Sequence, residues 1–158
     1  TALEHREQRC QAALDKVDLG AFAARFYQEL SGGEQQRVQL ARVLCQIWEP
    51  KLNDRPRWLF LDEPVSSLDI KHQLVIMQIA QNFSKAGGGV VAVMHDLNLS
   101  TMFADKIAVM SKGTLAAFGT GSEVITSKIM KDIFEVDLAV GTLPAEGSTY
   151  VLPQLANG

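Results

Sequence analysis

A short apolar run that stops at two acidic residues constrains this 158-residue chain most strongly. Trp58–Leu61 is apolar, Asp62 and Glu63 follow it directly, and Pro64 ends the run. Such a run is typical of a fully buried strand in a parallel sheet, and α/β sheets bind ligands at the carboxyl ends of their strands. Successive strand side chains point to opposite faces, so the two acids can take different roles. Because loops are polar, acids also end strands without any function, and the neighbouring segments must decide.

The segments after this run alternate in type. We expect a helix from Asp69 to about Lys85, a second buried strand at Val90–Met94, and polar His95 and Asp96 directly after that strand. The elements expected next are a helical turn at Leu97–Met102, a strand at Lys106–Met110, its hairpin partner at Thr114–Phe118, and short helices at Ser122–Ile125 and Ser127–Phe134. Strands that alternate with helices predict an α/β fold with a parallel sheet.

A second notable segment begins a helix. The apolar spacing within Leu30–Trp48 predicts a helix, and Ser31 followed three residues later by Glu34 is a capping-box pattern. A well-capped helix start needs no ligand, yet two consecutive glycines cost backbone entropy that a cap does not require. Gly32 and Gly33 therefore favour a site where another molecule approaches exposed N–H groups at the positive end of a helix dipole, an arrangement that suits phosphate.

The remaining segments set the expected boundaries. Residues 2–17 predict a packed surface helix, and the polar Glu49–Arg57 loop is the best internal boundary. We expect a helical part at 1–49, part of an α/β core at 50–121, and a C-terminal extension at 122–158 with weak strand character at Asp137–Val140 and Tyr150–Leu152.

Composition narrows the class of protein. The net charge is −3, with 15 Lys and Arg against 18 Asp and Glu. The overall electrostatic potential of the chain therefore does not favour binding to nucleic acid. Cys10 and Cys45 do not suggest a disulfide framework, and two free thiols fit a reducing cytosol. No apolar run approaches the roughly 20 residues that span a bilayer. A membrane role would therefore come through a partner.

Taken together, these motifs resemble those of the ABC-type ATPases. Leu30–Gln35 resembles the signature motif, Leu59–Asp62 with Glu63 and Pro64 resembles the Walker B strand and catalytic glutamate, Ser66–Asp69 resembles the D-loop, and His95 with Asp96 resembles the switch histidine. Any one of these motifs alone is weak. Four of them in the family's order, across Leu30 to about Gly121, make the resemblance specific.

The resemblance implies roles for the residues at the two strand ends. Asp62 would hold Mg²⁺, in part through water, because this small hard cation keeps several waters. Glu63 would orient or deprotonate the water that attacks the γ-phosphorus of ATP. His95 would contact and polarise the γ-phosphate.

The resemblance also implies a nucleotide site shared between two subunits of a homodimer. Ser31 and Gly33, with Gly32 and Gln35 beside them, would contact ATP held by the phosphate loop of the opposite subunit. Asp69 would communicate across that dimer interface. Positioning and charge stabilisation dominate phosphoryl transfer. A nucleotide held between two subunits would receive both from the residues of each subunit.

Within the family, the segments Glu34–Leu44, Pro56–Pro64, His95–Leu99 and Gly119–Ile125 most resemble the ATP-binding subunits of haem and iron-chelate importers. This resemblance implies transmembrane permease partners and a peripheral position on the cytoplasmic face of a bacterial inner membrane. The alternatives are a ferric-siderophore or cobalamin importer subunit, a non-transport ABC ATPase of DNA repair or translation, and a degenerate structural module. We expect no nucleic-acid partner.

The sequence departs from the family in one respect. It contains no G-x-x-x-x-G-K-[ST] phosphate loop, and Gly87–Gly89 lies between a helix and a strand, the wrong order for one. We interpret the chain as the C-terminal portion of an ABC ATPase.

We accordingly predict that the isolated chain binds Mg-ATP weakly and turns it over negligibly, because the group that grips the triphosphate is missing. Isothermal titration calorimetry of the 158-residue chain with Mg-ATP checks this. Tight binding at one nucleotide per chain would contradict it.

Overall fold

The computed structural model describes residues 2–156, and of Ala2 and Leu3 it describes the backbone only. The chain folds into two compact units that divide between His95 and Asp96. The first unit contains the signature-like and Walker B-like segments. The second contains a hairpin and short helices.

Two helices open the first unit. Helix α1 spans Ala2–Lys16 and helix α2 spans Gly32–Gln46, with short 3-10 turns at Gly20–Phe22 and Tyr27–Glu29 between them. The two helices pack together. Ala13 on α1 and Val17, directly after it, are fully buried, whereas Cys10 on the same helix is exposed.

One buried charged residue supports this packing. Arg37 on α2 is 9% exposed, and its Nη1 donates hydrogen bonds to the carbonyl oxygens of Val17 at 3.0 Å and Asp18 at 3.5 Å. A charged side chain is costly to bury unless it is hydrogen-bonded. These bonds therefore join α2 to the end of the α1 segment.

The segment predicted as a polar loop contains a small hairpin. Strands β1 (Lys51–Leu52) and β2 (Arg55–Pro56) pair antiparallel across Asn53 and Asp54, whose φ angles are 51° and 58°. Two central residues with positive φ characterise the type I′ turn, which suits asparagine and aspartate. The expected polar loop therefore contains a short two-stranded hairpin that the sequence interpretation did not predict.

The predicted parallel pair is confirmed. Strand β3 (Trp58–Asp62) pairs in parallel with β4 (Gly89–Val93), and helix α3 (Ile70–Lys85) connects them and contacts β4. Residues Ile76, Met77, Ala80 and Phe83 form the buried face of α3. Gly89 lies opposite Trp58, where a Cβ would come within 2.5 Å of the indole ring. Glycine at the first position of β4 thus permits this register.

The expectation of a fully buried strand was wrong. Leu59 and Leu61 are 1% and 9% exposed, whereas Trp58 and Phe60 are 56% and 71% exposed. Side chains alternate between the faces of a strand. In the described part of the first unit, one face of the β3–β4 sheet is packed and the other is open.

The second unit forms around a β-hairpin. Strand β5 (Ile107–Ser111) pairs antiparallel with β6 (Thr114–Gly119), as expected. Helices α4 (Leu97–Phe103), α5 (Gly121–Val124) and α6 (Ser127–Asp132) complete the unit. Val109, Val124 and Ile125 form one buried cluster of this unit, and Leu99 and Met130 are buried as well. The weak strand character expected at 137–140 and 150–152 was wrong, because neither segment pairs and the described tail has only a 3-10 turn at Pro153–Leu155.

The alternation of burial along β3 leads to a paired prediction. Replacing Leu59 by Ala should lower the free energy of unfolding by about 2–5 kcal/mol, because it leaves a cavity in the packed layer. Replacing Phe60 by Ala on the open face should change it by no more than about 0.5 kcal/mol. Urea unfolding monitored by circular dichroism measures both. Equal losses would mean that the two faces are equally packed.

Candidate functional site

The backbone at the end of β3 makes a sharp turn at Glu63. Its φ angle is 46°, in the left-handed region that non-glycine residues seldom adopt. The Glu63 N–H donates to the Val93 carbonyl at 3.1 Å, which extends the parallel pairing by one residue. The Glu63 carbonyl accepts from Gln36 Nε2 at 3.0 Å and from Ser66 Oγ at 3.2 Å. These three partners hold the turn.

The two residues expected to be catalytic lie in direct contact. His95 Nε2 lies 2.6 Å from Glu63 Oε1, a short hydrogen bond, with the side chains 74% and 45% exposed. Adjacent parallel strands carry their carboxyl ends to the same edge of a sheet, which explains the meeting of residues 32 positions apart. The pair is open to solvent, so a substrate in water can reach it.

The Asp62 carboxylate is exposed at the last position of β3. Among the described residues there is no group of three or more side chains that could hold a metal ion by itself. Mg²⁺ is commonly bound by one or two carboxylates together with waters and substrate phosphates. One accessible carboxylate beside Glu63 is the kind of ligand that Mg²⁺ uses when waters and phosphates supply the others.

The predicted capping box at the start of α2 is present. Ser31 is the N-cap, its N–H donates to Glu34 Oε2 at 2.7 Å, and its Oγ accepts from the Glu34 N–H at 3.4 Å. The Ser31 N–H, followed by its side chain, holds the pKa of Glu34 below its ordinary value. The reciprocal bonds fix the first turn of α2.

The two glycines after Ser31 have different surroundings. A Cβ on Gly33 would lie in ordinary contact with Leu68 Cδ2 at 3.4 Å and with the Ser67 carbonyl at 3.5 Å. A Cβ on Gly32 would meet no atom within 4 Å among the described residues. Neither glycine has a positive φ. This chain's own packing therefore does not require glycine at Gly32, which favours an approaching molecule as the reason for it.

A residue to which the sequence interpretation gave no role connects these segments. Gln36 on α2 donates from Nε2 to the Glu63 carbonyl, and its Oε1 accepts from Ser67 Oγ at 2.5 Å. The start of α2 is thereby tied to the turn after β3. Little in the sequence indicated this link. Gln36 lies one turn into α2, where a glutamine is common and needs no tertiary partner.

Gln35 bonds within its own segment. Its Nε2 donates to the carbonyl oxygens of Leu30 at 3.0 Å and Tyr27 at 3.3 Å. The side chain therefore shapes the approach to α2. Its role in nucleotide contact, like that of Ser31, stays a prediction.

Asp69 caps α3 and lies in a small charged network. It accepts from the His72 backbone N–H at 3.0 Å, and its carboxylate lies 2.8 Å from His72 Nδ1. On its other side, His72 Nε2 lies 3.9 Å from Asp18 Oδ2, which also pairs with Lys71 Nζ at 2.8 Å. His72 is a missed residue, because nothing in its sequence spacing indicated two carboxylate neighbours.

The structure thus joins Glu63 directly to His95, and places Gly33 against the loop that leads to Asp69. Asp96, expected beside His95 in the switch motif, instead accepts from the Leu99 N–H at 2.9 Å and caps α4.

Known proteins are similar in sequence to this chain. The profile described as ABC transporter matches residues 2–66. The hemin import ATP-binding protein HmuV of Mesorhizobium japonicum is 62% identical over 144 residues, which are 91% of this chain and 55% of that protein. This chain belongs to the ABC transporter ATP-binding family. It spans about half the length of the curated relatives that it matches.

Solved structures of ABC proteins share the fold. A metal-chelate type ABC transporter in an inward-facing conformation aligns with a TM-score of 0.66 and 25% identity, over 82% of this chain and 48% of that one. A dimeric ATP-binding cassette bound to ADP and Pi aligns with a TM-score of 0.62 and 31% identity, over 74% and 47%. The ABC ATPase fold expected from the motifs is therefore confirmed.

Across residues 2–156, the structure contains no helix of the length and apolarity needed to traverse a bilayer.

The contacts of Asp69 lead to a pH-dependent prediction. The His72 backbone N–H and then its imidazole hold the pKa of Asp69 below its ordinary 3.8. His72→Ala removes only the imidazole, so this pKa should rise but stay below 3.8. Carboxyl carbon-13 NMR titration measures it.

The sign of the stability effect follows from linkage. A carboxylate whose pKa is lower in the folded state stabilises the fold above its unfolded pKa, and that contribution is lost as pH falls through the folded pKa. His72→Ala should shrink this contribution. As a control, Lys71→Ala should raise the pKa of Asp18, which Lys71 lowers most, and leave that of Asp69 in place. An Asp69 pKa unmoved by His72→Ala would contradict the role of the imidazole.

Proposed function

We propose that this chain supplies part of the ATP-hydrolysing machinery of an ABC importer for haem or a related iron chelate. The observation that carries the proposal is the 2.6 Å contact between Glu63 and His95 at the adjoining ends of β3 and β4. A carboxylate beside an imidazole, both accessible, suits general-base chemistry on a water molecule. The proposal concerns the whole protein, of which this chain matches about half in its curated relatives.

In this proposal Glu63 acts on the attacking water. His95 occupies Oε1 of the Glu63 carboxylate and leaves Oε2 for the water proton. The left-handed turn and its three backbone and side-chain partners fix the carboxylate relative to the sheet edge. Such fixed placement supplies much of the rate in phosphoryl transfer, where positioning and charge stabilisation dominate.

Asp62 would hold Mg²⁺ that accompanies ATP, and the ion would supply neutralisation of phosphate charge. His95 would reach the γ-phosphate as well as Glu63, because its side chain is largely exposed. His95 would thus contact both the base, Glu63, and the γ-phosphate. The attacking water on Glu63 would thereby be positioned close to the phosphorus atom that it attacks.

The start of α2 would serve the nucleotide of a second subunit in a homodimer. Two features support this: the exposed N-terminus of a 15-residue helix, and the space around Gly32, where a Cβ would meet no atom of the described residues within 4 Å. Ser31, Gly32, Gly33 and Gln35 would approach the γ-phosphate, and Asp69 would lie near the same interface. A solved relative of this fold is a dimer bound to ADP and Pi.

The transported substrate and the membrane partners are proposed from the relatives. The curated relatives are named hemin import ATP-binding proteins, and one structural neighbour is a metal-chelate type transporter. We infer permease partners and a peripheral position on the cytoplasmic face of the bacterial inner membrane. We also retain the three-part division at 1–49, 50–121 and 122–158 as the functional division of the chain.

Replacing Glu63 by Gln in the full-length protein should lower the ATP hydrolysis rate by about 10²–10⁴-fold, because the amide cannot accept the water proton. ATP binding should persist. Phosphate release and nucleotide binding measure the two effects. Glu146→Gln, an exposed glutamate in the tail, is the control and should hydrolyse at the parent rate. Hydrolysis by Glu63→Gln at the parent rate would remove Glu63 as the base.

Ser31→Arg in the full-length protein should abolish hydrolysis while ATP binding at the mutated subunit's own phosphate loop persists. The large cation would block the approach of α2 to the second subunit's nucleotide. Gly32→Ala separates function from folding: it should keep the fold as stable as the parent, or raise stability by up to about 1 kcal/mol, and still impair hydrolysis. Equal loss of binding and hydrolysis in Ser31→Arg would mean that Ser31 is only a helix cap.

A further inference from the structure

The two cysteines of the chain lie side by side although 35 residues separate them. Cys10 is on α1, Cys45 is in the last turn of α2, and their Sγ atoms are 3.8 Å apart. Cys45 Sγ also lies 3.8 Å from the Arg9 carbonyl oxygen. The Cys45 thiol thus contacts α1 at two adjacent residues.

We propose that Cys10 and Cys45 are a redox modification site that closes to an intramolecular disulfide joining α1 to α2. A disulfide has an S–S length of about 2.05 Å, so the sulfurs need to approach by less than about 2 Å. Cys10 is exposed and Cys45 is half-buried, which leaves room for this movement by side-chain rotation.

The rest of the α1–α2 interface holds the pair in place. Lys16 Nζ lies 4.3 Å from the centroid of the Trp48 ring, and Arg37 bonds to the Val17 carbonyl. These contacts do not involve either sulfur. The proximity of the thiols is therefore a consequence of helix packing that persists before the disulfide forms.

The exposures of the thiols set the order of the chemistry. With a small disulfide such as oxidised glutathione, the thiolate of exposed Cys10 attacks one glutathione sulfur and releases one glutathione thiol. Burial raises the pKa of the Cys45 thiol, which lowers its thiolate fraction and disfavours it as the first attacker. On losing its proton, Cys45 attacks the Cys10 sulfur and displaces the second glutathione thiol. The protein loses two protons and two electrons, and the oxidant is reduced to two thiols.

The disulfide would have a defined physical effect. It closes the chain from Cys10 to Cys45 and restricts the unfolded state, which stabilises the folded one. Ser31 and its glycines lie within the closed segment. The modification requires no nucleotide, so its test is independent of the proposed ATP chemistry, and either proposal can fail without the other.

The test uses the 158-residue chain with oxidised glutathione, followed by intact-mass measurement, thiol titration and a non-reducing gel. We expect a monomer with a mass lower by about 2 Da and no remaining thiol. Its Tm should rise by roughly 5–15 °C and return to the starting value with dithiothreitol.

Single replacements provide matched controls. Cys45→Ser should stop at a mixed disulfide of Cys10 with glutathione, because the resolving thiol is missing, and should show no comparable rise in Tm. Cys10→Ser should react more slowly, because only the half-buried thiol remains. Wild-type protein that retains glutathione on Cys10, or that forms only disulfide-linked dimers, would overturn the proposal.

Discussion

The parallel pairing of β3 with β4 is the interaction on which the candidate site depends. It places the ends of two strands side by side, and the bond from the Glu63 N–H to the Val93 carbonyl extends the pairing into the turn. Without that register, Glu63 and His95 would not come within 2.6 Å of each other. Helix α3 makes the parallel geometry possible, because parallel strands need a crossover connection. The chemistry at the sheet edge is thus a product of backbone pairing.

A second set of contacts ties the helical segment to that edge. Gln36 reaches the Glu63 carbonyl and Ser67, while Arg37, one residue later, reaches back to the end of the α1 segment. Successive residues of α2 therefore point to different neighbours. A shift of the α2 start would therefore move the turn that carries Glu63, which links the Ser31–Gly33 segment physically to the proposed base.

The sequence predicted the parts of the fold that depend on local pattern. The run at Trp58–Asp62, the helix after Asp69 and the capping box at Ser31 all have strong local signals, and each is present. The exposure of one face of β3 could not be predicted, because an apolar run shows what a strand can bury and not what covers it. The His72 contact with Asp18 was missed because it depends on the tertiary placement of residues far apart in the chain, whereas the contact with Asp69 is local, between residues three positions apart.

The left-handed backbone at Glu63 has a consequence for the evolution of this site. Glutamate at a φ of 46° costs conformational energy that asparagine or glycine would largely avoid. Substitutions there can relax the turn and stabilise the protein while removing the carboxylate, so stability and the proposed catalytic role make opposite demands at this position. The requirements of the fold alone would favour a residue other than glutamate at this turn.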